Sequence, residues 1–444
     1  MANTYLTMTQ PSGGSRRKWT WSAWVKKSST GANQSLCVAY QDSANWTSIN
    51  FETSDQLNFY EYQGNSVVGQ KKLSMVSRDT NGWYHFMIIW DSENTTADDR
   101  MIIYVNGVRQ TAFSASTNPA VNTSTAMNRN NYPVRIGTNN SNNYFNGLMS
   151  HVNFCGGSVL APTVFGETDA TTGEWKIKAD ATFTPGIGGY SILKDGNTIT
   201  DQSTNSNNFS LGGGTFTKTE DNPSNVFATL NSLYRDGGSA ITYSNGNNTC
   251  DVGGANDWCT SPSTLGATSG KFYFEGKFTI NSGTEGYIGI AQDGNLNVKT
   301  NVPNYLGIDN YSIGYYSGNG KYYRATSSFT YGNTFTTGDI VGCAVDIDNK
   351  KIYFSKNGVW QNSGDPTSGA TGTGAIDVSS YFITGDPYFL CFSPNQSKFE
   401  GNFGNGYFGT TAVSSAGTNA SGIGIFEYDV PTGYTALSTK GLNL

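Results

Sequence analysis

The strongest constraint on this chain is a repeat of two residues. In Lys271–Ile280, Phe272, Phe274, Phe278 and Ile280 fall on one side, and Tyr273, Glu275, Lys277 and Thr279 on the other. A strand with one face on a core and one in water has this pattern. Trp19, Trp21, Ala23 and Val25 alternate in the same way with Thr20, Ser22 and Lys26. The run Trp83–Trp90 is apolar on both faces, as a central strand covered from both sides would be. Helical spacing is nearly absent: Val226, Leu230 and Leu233 make the best case, and a single turn or plain loop is expected there. The patterns predict an all-β chain of antiparallel sandwiches.

Two segments echo each other. Residues 83–108 read as an apolar strand ending at Asp91, a polar loop, and a second strand closing on Asn106-Gly107. Residues 338–359 repeat the plan, with a strand ending at Asp348, a short turn, and a second strand closing on Asn357-Gly358. Asn-Gly favours the type I′ hairpin turn because both residues tolerate positive φ. The echo predicts two antiparallel β-sandwiches of similar plan, and 444 residues are enough for two to three domains. The expected division is a sandwich over 1–158, a bridging segment over 159–235 and a second sandwich over 236–444. The bridge is rich in polar runs such as 201–208, yet Trp175, Phe183, Tyr190, Ile192, Phe209 and Phe227 anchor it, so an ordered, loop-rich connection is expected.

Composition narrows function mostly by exclusion. Charged residues are 14% of the chain and glycines number 54, so polarity comes from Asn, Ser, Thr and Gly, residues of turns and exposed strand faces. A net charge of -6 argues against a nucleic-acid groove, and Arg16-Arg17-Lys18 reads as the solvated start of a strand. No apolar run approaches a membrane span, and no secretion signal opens the chain. Cys37, Cys155, Cys250, Cys259, Cys343 and Cys391 are too scattered for a disulfide scaffold; a bridge between Cys250 and Cys259 stays open.

Several segments carry family resemblances. Tyr5–Thr9, Arg16–Lys26, Trp83–Phe86, Ile103–Val108 and Tyr144–Asn153 resemble a laminin-G-like, concanavalin A-type jelly roll. Gly270–Glu275, Gly338–Gly342, Phe354–Val359 and Phe403–Phe408 resemble a SPRY domain. Leu160–Glu167, Thr172–Trp175 and Asp221–Asn231 are similar to segments of structural, tail-fibre-like proteins of marine and cyanobacterial bacteriophages. The last resemblance implies a virion protein of the phage particle surface, tail or capsid, assembled in the host cytoplasm. The implied role is a tail-fibre or spike component recognising a host surface glycan or protein. The alternative is a capsid decoration, head-fibre or adaptor protein binding other virion subunits. A homo-oligomer, first of all a trimer, is implied as well. No heptads or collagen-like repeats occur, so attachment is expected through a sandwich face or the bridge.

Catalytic patterns were sought in the same residues. Some concanavalin-type sandwiches hydrolyse glycosides with paired carboxylates on a Glu-x-Asp-x-x-Glu strand, and no such string occurs. Asp98-Asp99 and Asp346-Ile-Asp348 fit hairpin ends. His85 and His151 have no nucleophile beside them in any motif, and Gly253-Gly254 and 369–374 lack the Lys-Ser/Thr of a phosphate loop. A non-enzymatic protein without cofactor is expected. Asp42 and Asp55 lie in loops without a liganding string, so no metal is expected either. The candidate ligand-binding residues are aromatic: Tyr311, Tyr315, Tyr316, Tyr322 and Tyr323 in a Gly/Asn-rich stretch, and Trp46, Tyr60 and Tyr62 between strands of the first sandwich. Tyr and Trp present flat apolar faces with a polar edge, which suits sugar rings and protein hot spots.

Overall fold

The computed structural model describes residues 3–140, 142–194, 198–234, 241–292 and 305–444. The chain forms two compact units, Met1–Lys218 and Thr219–Leu444. The stretch expected as a bridge is therefore shared between them, and the boundary expected at 235/236 lies outside the described residues. The fold is all-β, with a sandwich-type architecture in each unit. Val226–Leu233 contains no helix.

In the first unit most described strands form an eight-stranded and a six-stranded antiparallel sheet, and Gly166–Thr168 pairs with Trp175–Ile177 in a separate two-stranded one. The two large sheets make the sandwich. Their inner faces meet in a core that includes Trp19, Trp21, Phe59, Phe86, Ile88, Trp90 and Phe154. Strand Tyr84–Asp91 lies between Lys18–Lys27 and Met101–Val105. Its alternate residues Met87 and Ile89 face the other way, against Phe165, with Leu160, Val164 and Phe183 packed around them. The expectation that this strand is covered on both sides is thus met, and the cover is the chain that follows the sandwich.

The same cover changes the reading of Lys18–Lys27. Thr20, Ser22 and Lys26 are as buried as the tryptophans opposite. Thr20 Oγ1 donates to the Ser158 carbonyl at 2.9 Å and accepts from Leu160 N–H at 3.1 Å. A polar face here marks hydrogen bonding to a covering segment, not contact with water.

The second unit is organised by one long strand, Lys271–Gln292, bent at a register shift between Ile280 and Glu285. It pairs with Tyr388–Asn402, Ile340–Asp346 and Ser312–Tyr316. Phe274, Phe278, Phe392, Phe399, Phe403 and Phe354 fill its core. The face of Lys271–Ile280 expected in water is only partly so: Tyr273 and Glu275 are buried, whereas Lys277 and Thr279 are half-buried. Phe426, Val430 and Tyr434 cluster with Tyr273, Ala344 and Tyr353 on that face. The chain after the sandwich again supplies the missing layer.

The echoed Asn-Gly turns have one construction. Asn106 (φ 47°) and Gly107 (φ 77°), like Asn357 (φ 48°) and Gly358 (φ 80°), occupy the left-handed region that a type I′ turn requires. In each, the Asn side chain accepts a hydrogen bond from a backbone N–H in the first two residues of the neighbouring strand, His85 at 2.8 Å and Ile340 at 2.9 Å. An aromatic ring from the covering segment then rests on the glycine. A Cβ on Gly107 would lie 2.5 Å from Trp175, and one on Gly358 2.6 Å from Tyr428.

Gly107→Ala and Gly358→Ala are therefore expected to lower stability by about 2–3 kcal/mol each, from backbone strain plus displacement of the ring. Gly64→Ala, at a positive φ with open space around it, should lose only about 1 kcal/mol. Urea titration of the three variants measures the difference; equal losses would remove the aromatic cap from the account.

Candidate functional site

The outer face of the eight-stranded sheet brings three of the sequence candidates together. Strands Asn45–Phe51 and Gln56–Gln63 pair with Trp46 opposite Tyr62, Ser48 opposite Tyr60 and Asn50 opposite Asn58. Thr47, Ile49 and Phe51 alternate with these and are buried, so the period of two sets the former residues on the opposite face, where Ser48 and Asn58 are themselves covered. The Trp46 and Tyr62 rings stack with centroids 4.0 Å apart, and Trp46 Nε1 donates to Tyr60 Oη at 3.2 Å. All three rings are half-buried, fixed by each other yet partly open.

Beside Tyr60 the sheet surface sinks into a recess of about 260 Å3. Amides dominate its lining: Asn33, Gln34, Asn50, Asn58, Gln70 and Asn143. Each carries both donors and an acceptor. Several are held in place, since Gln70 Nε2 donates to Asn58 Oδ1 at 3.1 Å and Asn58 Nδ2 to Glu52 Oε1 at 2.7 Å. Glu52 also lines the recess, and Lys72 Nζ pairs with its other oxygen at 2.6 Å. These amides were missed from sequence. Asn50 and Asn58 share the outward phase of Trp46 and Tyr60, but Asn33 and Asn143 reach the recess only through the fold.

The five tyrosines of 311–323 separate. Tyr315 is fully buried in the core, stacked on Phe354 at 5.2 Å, with its hydroxyl donating to the Asn333 carbonyl. Its ring is closed to any ligand, because strand alternation points it inward. Tyr322 stacks on Phe329 at 4.9 Å. Tyr316 and Tyr323 join Tyr287, Tyr305 and Trp258 in a second aromatic cluster, where Tyr316 Oη donates to Glu285 at 3.1 Å. Tyr311 is half-buried, at the turn before Ser312–Tyr316.

The titratable groups that look unusual belong to the interior. His85 is buried, and burial holds its pKa down at about 3. Trp175 Nε1, which only donates, reaches His85 Nδ1 at 3.2 Å, so the ring proton sits on Nε2 and is donated to Ser22 Oγ at 2.8 Å. Burial pushes Glu61 up to about 8 against donors from Thr47, Gln63 and Ala126. Glu275 is pushed up to about 7 by burial, while the N–H groups of Glu427 and Tyr428, Tyr273 Oη and Asn402 Nδ2 all donate to it. The two aspartates expected in loops are committed to the protein's own donors, and Asp42 in fact ends strand Gln34–Asp42. Asp55 accepts from Lys27 Nζ and Gly31 N–H at 2.8 Å each and from Arg78 at 3.3 Å. Burial opposes its charge, but these partners hold its pKa below the usual carboxylate range. Asp42 accepts from Ala44 N–H and Asn45 Nδ2. All six cysteines are buried, and no disulfide joins Cys250 to Cys259. Among the described residues no cluster of three or more His, Cys, Asp or Glu could hold a metal ion.

Comparison with known proteins supports both domain types. Residues 1–164 match the family model of the concanavalin A-like lectin/glucanases superfamily, and residues 271–405 that of the SPRY domain. Curated relatives include Ran-binding protein 9 of Danio rerio, 40% identical over 96 residues, which is 21% of this chain and 15% of that protein. Ran-binding protein 9 of Homo sapiens is 38% identical over 21% of this chain and 12% of its own length. The chain thus spans well under a fifth of the relatives it matches. Among solved structures, the SPRY domain of human HERC1 is 15% identical with a TM-score of 0.28, covering 39% of this chain and 96% of that one. The relatives overturn the expectation of a phage virion structural protein and of a virion location: they are eukaryotic Ran-binding proteins.

The two raised carboxylates give a pH dependence of definite sign. Each has a folded pKa above its ordinary value of 4.5, so its stabilising contribution is complete below that value. It is lost as pH rises through about 7 for Glu275 and about 8 for Glu61. Thermal stability should fall between about pH 5 and about pH 9, and Glu61→Gln or Glu275→Gln should flatten part of that slope. Melting curves across pH check it; a slope unchanged in both variants would assign the effect elsewhere.

Proposed function

We propose that this chain is a non-enzymatic recognition protein whose first unit binds a neutral oligosaccharide on the outer face of its eight-stranded sheet. The observation that carries the reading is the Trp46–Tyr62 stack lying next to the amide-lined recess through Tyr60. A sugar ring needs an apolar platform for its C–H face and paired donors and acceptors for its hydroxyls, and this surface offers both within a few residues. Lys72 is neutralised by Glu52, which favours an uncharged ligand over an acidic one.

The non-enzymatic reading is supported by where the perturbed groups lie. Glu61, Glu275 and His85 are sealed inside the two units by donors and rings from other segments of the chain, Ala126 on Glu61, Glu427 on Glu275 and Trp24 against His85. A general acid or base must reach the proton it moves, and none of these reaches solvent.

A glycan array followed by calorimetry tests the proposal. Trp46→Ala and Tyr62→Ala should each weaken binding at least about tenfold, or ~1.4 kcal/mol, while leaving the melting temperature near that of the parent. Reducing ends counted after incubation with the bound glycan should equal a blank. An array on which nothing is retained would sink the saccharide reading, and new reducing ends would sink the non-enzymatic one.

A further inference from the structure

The hairpin Lys321–Arg324/Ser327–Thr330 in the second unit has features that its fold does not require. Its two turn residues, Ala325 (φ 49°) and Thr326 (φ 64°), sit in the left-handed region where Gly or Asn is the usual choice. A β-branched residue there is a true outlier, held only because surrounding contacts over-determine it. Two such contacts hold the turn: Ala325 N–H donates to the Asp309 carbonyl at 2.8 Å and Thr326 N–H to the Gly307 carbonyl at 3.0 Å.

Arg324, at the base of this turn, is a cation with no acid paired to it among the described residues. Its guanidinium carbon lies 3.4 Å from the centre of the Tyr381 ring and 5.2 Å from that of Phe329. Its Nε is buried with no hydrogen-bond partner, and no described carboxylate pairs with it. Two aromatic rings hold the fork in one place, which removes the entropy that an arginine ordinarily loses on binding a carboxylate. Tyr381 and, two residues on, Ile383 are exposed apolar side chains, 41% and 46% accessible.

Strand Ser327–Thr330 pairs with Lys321–Arg324 and carries no second ladder among the described residues. Arg324 and Ser327 close the two-residue turn, so Ser328 and Thr330 are the residues whose backbone N–H and C=O point away from the hairpin. Both residues are exposed. The usual defences of an edge (a lysine, a proline or a bulge on the strand itself) are missing from Ser-Ser-Phe-Thr.

We propose that this edge accepts an extended peptide segment of a partner protein as an added strand, with an Asp or Glu side chain of that segment engaging Arg324 and an apolar neighbour resting on Tyr381 and Ile383. Main-chain hydrogen bonds to Ser328 and Thr330 supply register, and the clamped guanidinium supplies selection for the acid. A peptide is favoured over an acidic sugar because the backbone edge and the guanidinium are neighbours and only a peptide uses both. The site is separate from the saccharide surface and stands or falls without it.

A displayed library of random eight-residue peptides, selected on the full immobilised chain, is the test. Selection should enrich Asp or Glu at one position with an apolar residue close by. A synthetic peptide from that pool should bind at least tenfold better than its Gln or Asn twin. Arg324→Gln should abolish that discrimination. Ser328→Pro removes an outward N–H without touching the ladder to Lys321–Arg324, so it should abolish binding while the melting temperature holds. Arg324→Lys should restore little, since an ammonium lacks the planar fork. An acidic pool selected equally well on Arg324→Gln, or no acidic enrichment on the parent, overturns the proposal. So does binding of hyaluronate that Ser328→Pro leaves intact, which would assign Arg324 to a uronate. A dimer that Ser328→Pro dissolves would likewise replace the peptide by a second copy of this chain.

Discussion

Each unit depends on a central strand whose two faces are both withdrawn from water. In the first, Tyr84–Asp91 puts Phe86, Ile88 and Trp90 into the core between the sheets and Met87 and Ile89 under the segment that follows the sandwich. In the second, Lys271–Gln292 puts Phe274 and Phe278 inward and Tyr273 under Phe426 and Tyr434. Burying one face stabilises a sandwich; burying the second turns a loop-rich tail into a structural layer. The polar residues on that second face must then find partners, because a buried unpaired donor or acceptor is destabilising by about 1–3 kcal/mol.

Much of the unusual chemistry inside the protein follows from that requirement. Thr20 joins the first cover through Ser158 and Leu160. His85 joins it through Trp175, and Glu275 ties the second cover down through two successive backbone N–H groups. Groups that resemble catalytic ones in isolation, a neutral histidine beside a serine and a carboxylate with a raised pKa, are the fastenings of an outer layer. The Asn-Gly hairpins belong to the same system. Each presents a glycine surface flat enough for Trp175 or Tyr428 to lie on, and the two rings come from the covering segments.

The two binding sites proposed above lie on surfaces left uncovered. On the eight-stranded sheet the outer face keeps Trp46, Tyr60 and Tyr62 with a floor of amides. On the second unit the rim around Arg324 stays open, with a strained turn holding it. Rigid sheets fix these groups in place, so little order remains to be imposed when a ligand arrives.

The sequence by itself determined the class of fold, the two-sandwich plan and the turns, because alternation and Asn-Gly chemistry are local properties of a few adjacent residues. It singled out Trp46, Tyr60 and Tyr62 but set them between strands; they lie on the paired strands Asn45–Phe51 and Gln56–Gln63, and only that pairing puts them on one face. It misjudged which polar faces are wet. Thr20, Ser22, Tyr273 and Glu275 read as solvent-facing, and what covers them comes from chain far along the sequence, up to Tyr428 for Glu275. Among the five tyrosines of 311–323, alternation alone separates Tyr315 from Tyr316, but which face is the core depends on Phe354 and Phe399 across the sandwich. The recess and the Arg324 clamp were likewise decided only in three dimensions. Asn143 meets Asn50, and Tyr381 meets Arg324, through contacts between distant segments that no local period encodes.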